Sequence, residues 1–166
     1  MNVMQKGIAT LEIVLAVFII AVLASCAVPN AVRILDRISL DYEIKNFYTE
    51  LRFLQSHGRM TFMRDSHFNN TEKFQNKLTV YPEKYVVEKN GTDKIYSQHY
   101  FLNGVTASKK SSTENWAIMF DDMGKPQSLS ETALDGHIVI KSRLGKEFYF
   151  IFNTVGRFRA GRTKPK

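Results

Sequence analysis

The feature that most constrains this chain is the apolar run from Ile8 to Val28. A helix over this run, rising about 1.5 Å per residue, is about 31 Å long and matches the ~30 Å hydrocarbon core of a bilayer. The run contains a single charged residue, Glu12. Because a charge at membrane depth costs about 2.5–3.5 kcal/mol, Glu12 needs a partner there. The sequence therefore predicts a membrane helix with one acid that must be neutralised.

The residues around this run follow a fixed register. A short leader ends in Lys6-Gly7, an acid stands five positions after the glycine, and Pro29 stands twenty-two positions after it. Together these features resemble the class III signal of type IV pilins and pseudopilins. The resemblance implies that a prepilin peptidase cuts between Gly7 and Ile8 and methylates the new amine. It also implies that Glu12 neutralises the amino terminus of a neighbouring subunit during assembly. Ile8 stands where the family usually has Phe.

Other interpretations of the same run remain open. A plain membrane anchor explains the apolar residues but gives no reason for the glycine, the acid and the proline. A secretory signal peptide fits less well, because an acid follows Lys6 where the charged region should give way to apolar residues. Leu23-Ala24-Ser25-Cys26 has the form of a lipobox. Cys26 would then be the acylated first residue of a membrane-anchored lipoprotein, although the apolar face continues past it without a polar tether.

Charge is distributed unevenly along the chain. There are 23 Lys and Arg residues and 16 Asp and Glu residues, a net charge of +7. The segment from Lys141 to Lys166 holds eight basic residues and one acidic residue, so it carries the whole surplus. The one cysteine cannot form an intrachain disulfide, and its position in the apolar run predicts a small buried apolar side chain.

An amphipathic helix is predicted beyond Pro29. Apolar residues at helical spacing form one stripe, consisting of Leu40, Ile44, Phe47, Leu51 and Leu54. Charged residues, Glu43 among them, fall largely off this stripe. No glycine or second proline interrupts before Gly58, so a single helix should run from Ile8 to about Met63. Pro29 should kink this helix rather than end it, because the apolar pattern resumes at once.

The remaining residues predict an antiparallel β head of five to seven strands. Asn90-Gly91 is a two-residue hairpin signal between apolar strand patterns. A second hairpin joins His137–Lys141 to Glu147–Phe152 across Leu144-Gly145.

Loops and breaks are predicted between these strands. Polar residues indicate loops at Asn69–Lys77 and Asn103–Asn115, and Pro82 suggests an edge or a bulge in the first strand. Trp116–Phe120 is a further apolar strand, which ends in a turn at Asp122–Pro126.

Three segments carry a closer resemblance, namely Glu50–Ser56, Phe120–Gly124 and Gly156–Arg159. With the layout of one long helix and a β head, they resemble minor pseudopilins of type II secretion and minor pilins of type IV pili, the GspH and FimT kind. The resemblance implies an α+β fold, with a long kinked N-terminal helix whose first half is transmembrane and a C-terminal antiparallel β-sheet head. It divides the chain into a leader at 1–7, a membrane and assembly half of the helix at 8–29, an amphipathic half at 30–63, and a β head with a basic tail at 64–166.

The residue types offer little for catalysis or metal binding. The four histidines, His57, His67, His99 and His137, lack metal-ligand spacing. Asp121-Asp122 lies in a predicted turn, where carboxylates commonly cap backbone amides. We therefore expect no cofactor and no enzyme activity; the resemblance makes the chain a substrate of the prepilin peptidase.

The basic tail is the one candidate nucleic-acid site. Its cations are Arg157, Arg159, Arg162, Lys164 and Lys166. In a strand Arg157 and Arg159 point to one face and Phe158 to the other, which suits two guanidiniums contacting neighbouring phosphates. In competence-associated minor pilins a C-terminal Gly-Arg-x-Arg motif is linked to DNA capture, and Gly156–Arg159 is similar to it. The alternative is a solvated tail or one that attracts lipid headgroups or cell-wall polymers.

Two functions stay open within this resemblance. One is a structural filament subunit, acting in type II secretion or pilus assembly, and the other is a DNA receptor displayed by a pilus. The implied partners are other pilin-like subunits, the prepilin peptidase, the cytoplasmic membrane and, for the second function, DNA. The implied location is the cytoplasmic membrane, crossed once with the head on the extracytoplasmic side, before incorporation into a pilus or pseudopilus.

Overall fold

The fold is α+β, as expected, with one long helix followed by antiparallel strands. The computed structural model describes residues 3–65, 76–89, 94–109, 116–121, 123–128, 137–153 and 157–163. Helix α1 spans Val3–Asp65. The strands are β1 (Asn76–Val80), β2 (Lys84–Lys89), β3 (Ile95–Tyr100), β4 (Thr106–Lys109), β5 (Trp116–Phe120), β6 (Pro126–Ser128), β7 (His137–Lys141), β8 (Glu147–Phe152) and β9 (Phe158–Gly161).

Helix α1 contains the whole segment predicted to be helical, and Pro29 lies inside it without ending it. The kink expected at Pro29 stays a prediction. Contacts divide the chain into two compact units, Met1–Arg37 and Ile38–Lys166. We refer to these as the first and the second unit.

In the first unit the apolar side chains are uncovered. Every residue from Thr10 to Leu35 is exposed. Helix α1 is long and apolar enough here to cross a membrane, and none of its most apolar window is buried. Contiguous apolar surface of this extent marks a region that meets lipid or another chain.

The second unit contains two antiparallel sheets. The strand orders are β3-β2-β1-β5-β6 in a five-stranded sheet and β4-β7-β8-β9 in a four-stranded sheet. The pairing of both predicted hairpins is confirmed, as β2 with β3 and β7 with β8. The first connection is longer than the two residues expected, because the Lys89 N–H donates to the Lys94 carbonyl at 3.0 Å and residues 90–93, which lie outside the described residues, stand between them. The described part of the chain has nine strands, more than the five to seven expected.

Two local expectations for the head were wrong. Pro82 lies in the turn between β1 and β2, where the Tyr81 N–H donates to the Lys84 carbonyl at 2.8 Å, and the break in pairing falls instead between Val87 and Glu88. The loop expected at Asn103–Asn115 contains strand β4, which pairs with β7. Because β4 is a short, polar edge strand, its sequence does not alternate clearly enough to be recognised.

The core of the second unit forms where α1 packs against both sheets. The predicted stripe is buried, with Phe47, Leu51 and Leu54 almost fully covered. The Phe47 ring packs edge-on against Tyr85 of β2 at 5.5 Å and against Phe150 of β8 at 5.0 Å between centroids. A single aromatic residue of the helix therefore contacts both sheets.

Near its C-terminal end, α1 approaches the end of β5 so closely that only a glycine fits at position 58. A Cβ added at Gly58 would lie 2.8 Å from the backbone carbonyl oxygen of Phe120 at the end of β5. Gln55, one turn earlier, donates from Nε2 to the Gly124 carbonyl at 2.9 Å and is buried. These two contacts hold α1 to the turn between β5 and β6.

Candidate functional site

The first candidate site is the acid in the exposed part of α1. Glu12 is exposed and makes no hydrogen bond or ion pair with any side chain that the structure describes. Gly7 and Ile8, the expected processing site, lie in the backbone of the same helix, and their surroundings are outside the described side chains. Glu12 is thus a carboxylate on an apolar surface without an internal counter-charge.

The alternative acylation site lies on the same helix. Cys26 is exposed, and its backbone carbonyl accepts a hydrogen bond from Asn30 Nδ2 at 3.2 Å. Ser25 Oγ donates to the Val22 carbonyl at 2.7 Å. Helical backbone continues on both sides of Cys26.

The basic tail is partly built into the fold, because its segment Phe158–Gly161 forms strand β9. Phe158 begins strand β9, pairs with Phe152 of β8 and is only 7% exposed. Arg159 pairs opposite Ile151 in the same ladder, and Arg157 immediately precedes the strand. Both arginines are exposed, so they lie on the opposite side from Phe158, as the alternation predicts.

The other tail cations are placed differently. Arg162 Nη2 lies 3.6 Å from Asp41 Oδ1 of α1, in an exposed ion pair. Such a pair contributes about 0–1 kcal/mol and partly offsets the charge of Arg162. Lys164, Lys166 and Gly156 lie outside the described residues. Arg157 and Arg159 contact no carboxylate within the described ranges, so these two cations remain the core of the candidate site.

Arg52 of α1 is a residue that the sequence did not single out. Its guanidinium lies 4.4 Å from the Phe158 ring centroid and 5.3 Å from that of Tyr48. It donates to the Tyr48 hydroxyl at 2.9 Å and to Gln55 Oε1 at 3.0 Å. Because Gln55 also contacts Gly124, the three segments of closer resemblance meet around this arginine. Helical spacing could have indicated the contacts within α1, but not those across the fold.

Glu43 was expected off the apolar stripe, and that expectation was wrong. Its side chain is fully buried, at 0% exposure. Glu43 Oε2 accepts from His99 Nε2 at 2.7 Å, and Oε1 accepts from the Leu102 N–H at 3.0 Å. This buried carboxylate therefore joins α1 to β3 and to the turn that follows it, and both of its oxygens have donors.

Two further groups near this pair have shifted acidities. Burial raises the pKa of the Glu50 carboxyl above its ordinary value of 4.5, and the charge of His99 opposes that shift. Burial also raises the pKa of the Tyr85 hydroxyl far above its usual range, in the same direction as the charges of Glu50 and Glu43. Both shifts favour neutral side chains in the packed interior.

Asp121, His57 and His137, which the sequence analysis considered for catalysis or metal binding, make short-range contacts. Asp121 Oδ1 accepts from the Met123 N–H at 3.0 Å and the Lys125 N–H at 2.7 Å, which is the capping role expected of the turn. His57 stacks on Phe53 and His137 packs against Tyr149. His67 and Asp122 lie outside the described residues. Within the described part of the chain, no three His, Cys, Asp or Glu side chains are grouped to hold a metal ion.

Comparison with known proteins adds no assignment. No family model, curated protein or solved structure matches the chain.

Proposed function

We propose that the chain is a minor pseudopilin or minor pilin, a subunit of a type IV filament machine acting in type II protein secretion or pilus assembly. In this proposal a prepilin peptidase and N-methyltransferase removes residues 1–7 and methylates Ile8. The chain is then the substrate of an enzyme rather than an enzyme. The mature subunit crosses the cytoplasmic membrane once, with its β head on the extracytoplasmic side, and joins other pilin-like subunits in the filament.

The observation that carries the proposal is the placement of Glu12. It lies in an apolar span in which every side chain from Thr10 onward is exposed, and the described part of the chain offers it no counter-charge. An ionised carboxylate in hydrocarbon is costly, so the missing charge must come from another molecule. The methylated amine of a neighbouring subunit supplies a positive charge at the start of the same apolar span.

The division of α1 between two environments also supports the proposal. The same helix is exposed and mainly apolar from Thr10 to Leu35, whereas in the second unit it is amphipathic and packs against two sheets. A subunit that is held first in a membrane and then in a filament requires an apolar rod joined to a separately packed head. A soluble domain would leave that rod uncovered.

Mass spectrometry of the protein purified from membranes tests the proposal. The expected mature N-terminus is a methylated Ile8, and Cys26→Ser should leave processing and membrane attachment unchanged. A mature chain that begins at Cys26 and carries a diacylglycerol there, with loss of that cleavage in Cys26→Ser, would contradict the proposal and establish the lipoprotein alternative.

A second candidate function is DNA capture by a competence pilus, favoured by the geometry of β9. Phe158 anchors the strand in the core, while Arg157 and Arg159 are held on the exposed side with no carboxylate partner in the described ranges. Two guanidiniums fixed in this way suit neighbouring phosphates. Duplex binding that weakens steeply with salt and is lost in Arg157→Gln/Arg159→Gln would distinguish this function from a purely structural one.

A further inference from the structure

A second surface with nucleic-acid chemistry lies on the edge strand β3 of the five-stranded sheet. Tyr96, Gln98 and Tyr100 are exposed along this strand, whereas the intervening Ser97 and His99 are half-buried. Tyr96 is 51% and Tyr100 58% exposed, so two large rings project from the fold rather than into its core. The strand is paired with β2 alone.

Each of these rings has a lysine beside it. Lys94 Nζ lies 5.4 Å from the Tyr96 ring centroid. Lys84 is directly opposite Tyr100 in the β2–β3 ladder, and its Nζ lies 5.3 Å from that ring and 5.4 Å from the ring of Tyr81. We name these five residues the Tyr–Lys face: Tyr81, Lys84, Lys94, Tyr96 and Tyr100.

The lysines of this face keep their charge available to an external ligand. Neither Lys84 nor Lys94 forms an ion pair with a described acid. Glu88, on the neighbouring strand, is instead engaged by Lys77 at 3.1 Å and by the Thr79 hydroxyl at 2.9 Å. Glu83 is the other acid close by, exposed in the turn between β1 and β2. Lys94 is exposed and Lys84 is half-buried, and a lysine over an aromatic ring at the surface contributes only about 0.5–1 kcal/mol to folding.

We propose that the Tyr–Lys face binds single-stranded nucleic acid. Bases stack on the rings of Tyr96 and Tyr100, and the lysine beside each ring contacts a phosphate of the same strand. Surfaces that bind single strands without sequence preference combine aromatic stacking with a positively charged path for the backbone. The two tyrosines are four residues apart, about 13 Å along the strand. Each ring can therefore stack against a different base of the same strand.

This chemistry differs from that of the basic tail. A duplex hides the faces of its bases, so exposed rings add nothing to duplex binding, and phosphate contacts alone would not need them. The Tyr–Lys face lies in the five-stranded sheet, whereas Arg157 and Arg159 belong to the edge of the four-stranded sheet. The inference holds whether or not the chain is a filament subunit and whether or not the tail binds DNA.

The test measures fluorescence anisotropy with the full chain in detergent and two labelled probes of equal length. One is an oligothymidylate, and the other is an abasic oligonucleotide with the same phosphates and no bases. The face should bind the thymidylate at least about fivefold more tightly than the abasic strand, because each stacked base contributes a factor of about 5 to 150.

Variants assign the binding to this face. Tyr96→Leu and Tyr100→Leu should each weaken thymidylate binding at least about fivefold and leave abasic binding unchanged. The double substitution Lys84→Gln/Lys94→Gln should reduce the slope of the logarithm of the binding constant against the logarithm of the salt concentration by about 1.4. Phe53→Leu is the matched control, because Phe53 is an aromatic of similar exposure, 53%, on α1, and no lysine of the described ranges lies over its ring. It should bind like the intact chain, and circular dichroism should show every variant folded.

Three outcomes would overturn the inference. The first is equal binding of the two probes, which would mean that phosphates alone are recognised. The second is a loss of thymidylate binding in Arg157→Gln/Arg159→Gln but not in the tyrosine variants, which would place the site on the tail. The third is no binding of either probe by the intact chain.

Discussion

The two units of this chain place an acid of the same helix in opposite circumstances. Glu43, in the second unit, is fully buried, and both of its carboxylate oxygens accept hydrogen bonds from the chain itself. Glu12, in the first unit, is exposed on an apolar surface and has no such partner in the described structure. The fold explains Glu43, because it supplies the donors for both carboxylate oxygens. It does not explain Glu12. Glu12 therefore points to an interaction outside the single chain.

Glu43→Ala should have the largest effect on stability. It leaves His99 and the Leu102 N–H without their acceptor and opens a cavity, so the free energy of unfolding should fall by about 3 kcal/mol. Denaturant unfolding of the full chain in detergent measures the loss. Glu12→Ala is the control and should change this free energy by less than about 0.5 kcal/mol. Equal losses in the two variants would remove the contrast between the acids.

Glu12→Ala should instead affect assembly. The membrane-bound monomer and its processing at Gly7 should remain intact, while incorporation into filaments falls about tenfold, equivalent to ~1.4 kcal/mol of lost charge pairing. Quantitative immunoblotting of sheared filaments against membrane fractions measures the ratio. If Glu12→Ala assembled as well as the intact chain, the charge-pair explanation would be wrong.

The tail offers a smaller and more specific effect. If Arg157 and Arg159 contact phosphates, Arg157→Gln/Arg159→Gln should flatten the log–log salt dependence of duplex binding by about 1.8. The control, Arg143→Gln/Lys146→Gln, removes the same charge from the exposed turn between β7 and β8 and should leave the slope nearly unchanged.

Truncation after Gly161 separates the motif from the charge run. It preserves Arg157 and strand β9, which contains Arg159, and removes Arg162, Lys164 and Lys166. If the truncation abolished binding and Arg157→Gln/Arg159→Gln did not, only the terminal charges would matter.

The smallest expected effect concerns pH and Glu50. The raised pKa of Glu50 means that the folded state holds this proton more tightly than the unfolded chain, whose carboxyl titrates near 4.5. Stability from this group is present below pH 4.5 and is lost as the pH rises through the raised value. At pH 7 the free energy of unfolding of Glu50→Gln should therefore exceed that of the intact chain, by less than about 1 kcal/mol.

Denaturant midpoints at several pH values test this expectation. The difference between Glu50→Gln and the intact chain should vanish below pH 4.5. A difference that did not change with pH would indicate a packing effect of the substitution.

The sequence predicted the parts of this fold that depend on periodicity. The stripe through Phe47, Leu51 and Leu54 has helical spacing, and strands β7 and β8 are apolar runs on either side of a glycine turn, so local pattern determines both. It misplaced Glu43, because an acid beside an apolar stripe is usually solvated and its donors, His99 and Leu102, are distant in sequence.

The candidate sites were predictable to a similar extent. The exposed positions of Arg157 and Arg159 follow from strand alternation, and Glu12 follows from its isolation in the apolar run. The burial of Phe158 beneath Arg52 and the lysines beside Tyr96 and Tyr100 depend on strand pairing, which no local pattern specifies.

The contacts that hold α1 to the sheets also bear on how the head folds. Glu43 and Leu102 are 59 residues apart in sequence, Ser39 and Asn103 are 64 apart, and Gln55 and Gly124 are 69 apart. Large loops must close before any of these bonds forms, and proteins dominated by such distant contacts fold slowly. During that interval the apolar stripe of α1 is uncovered, and uncovered stripes of this kind aggregate. The covering of this stripe by the strands is therefore the step that ends the risk of aggregation for a newly made head.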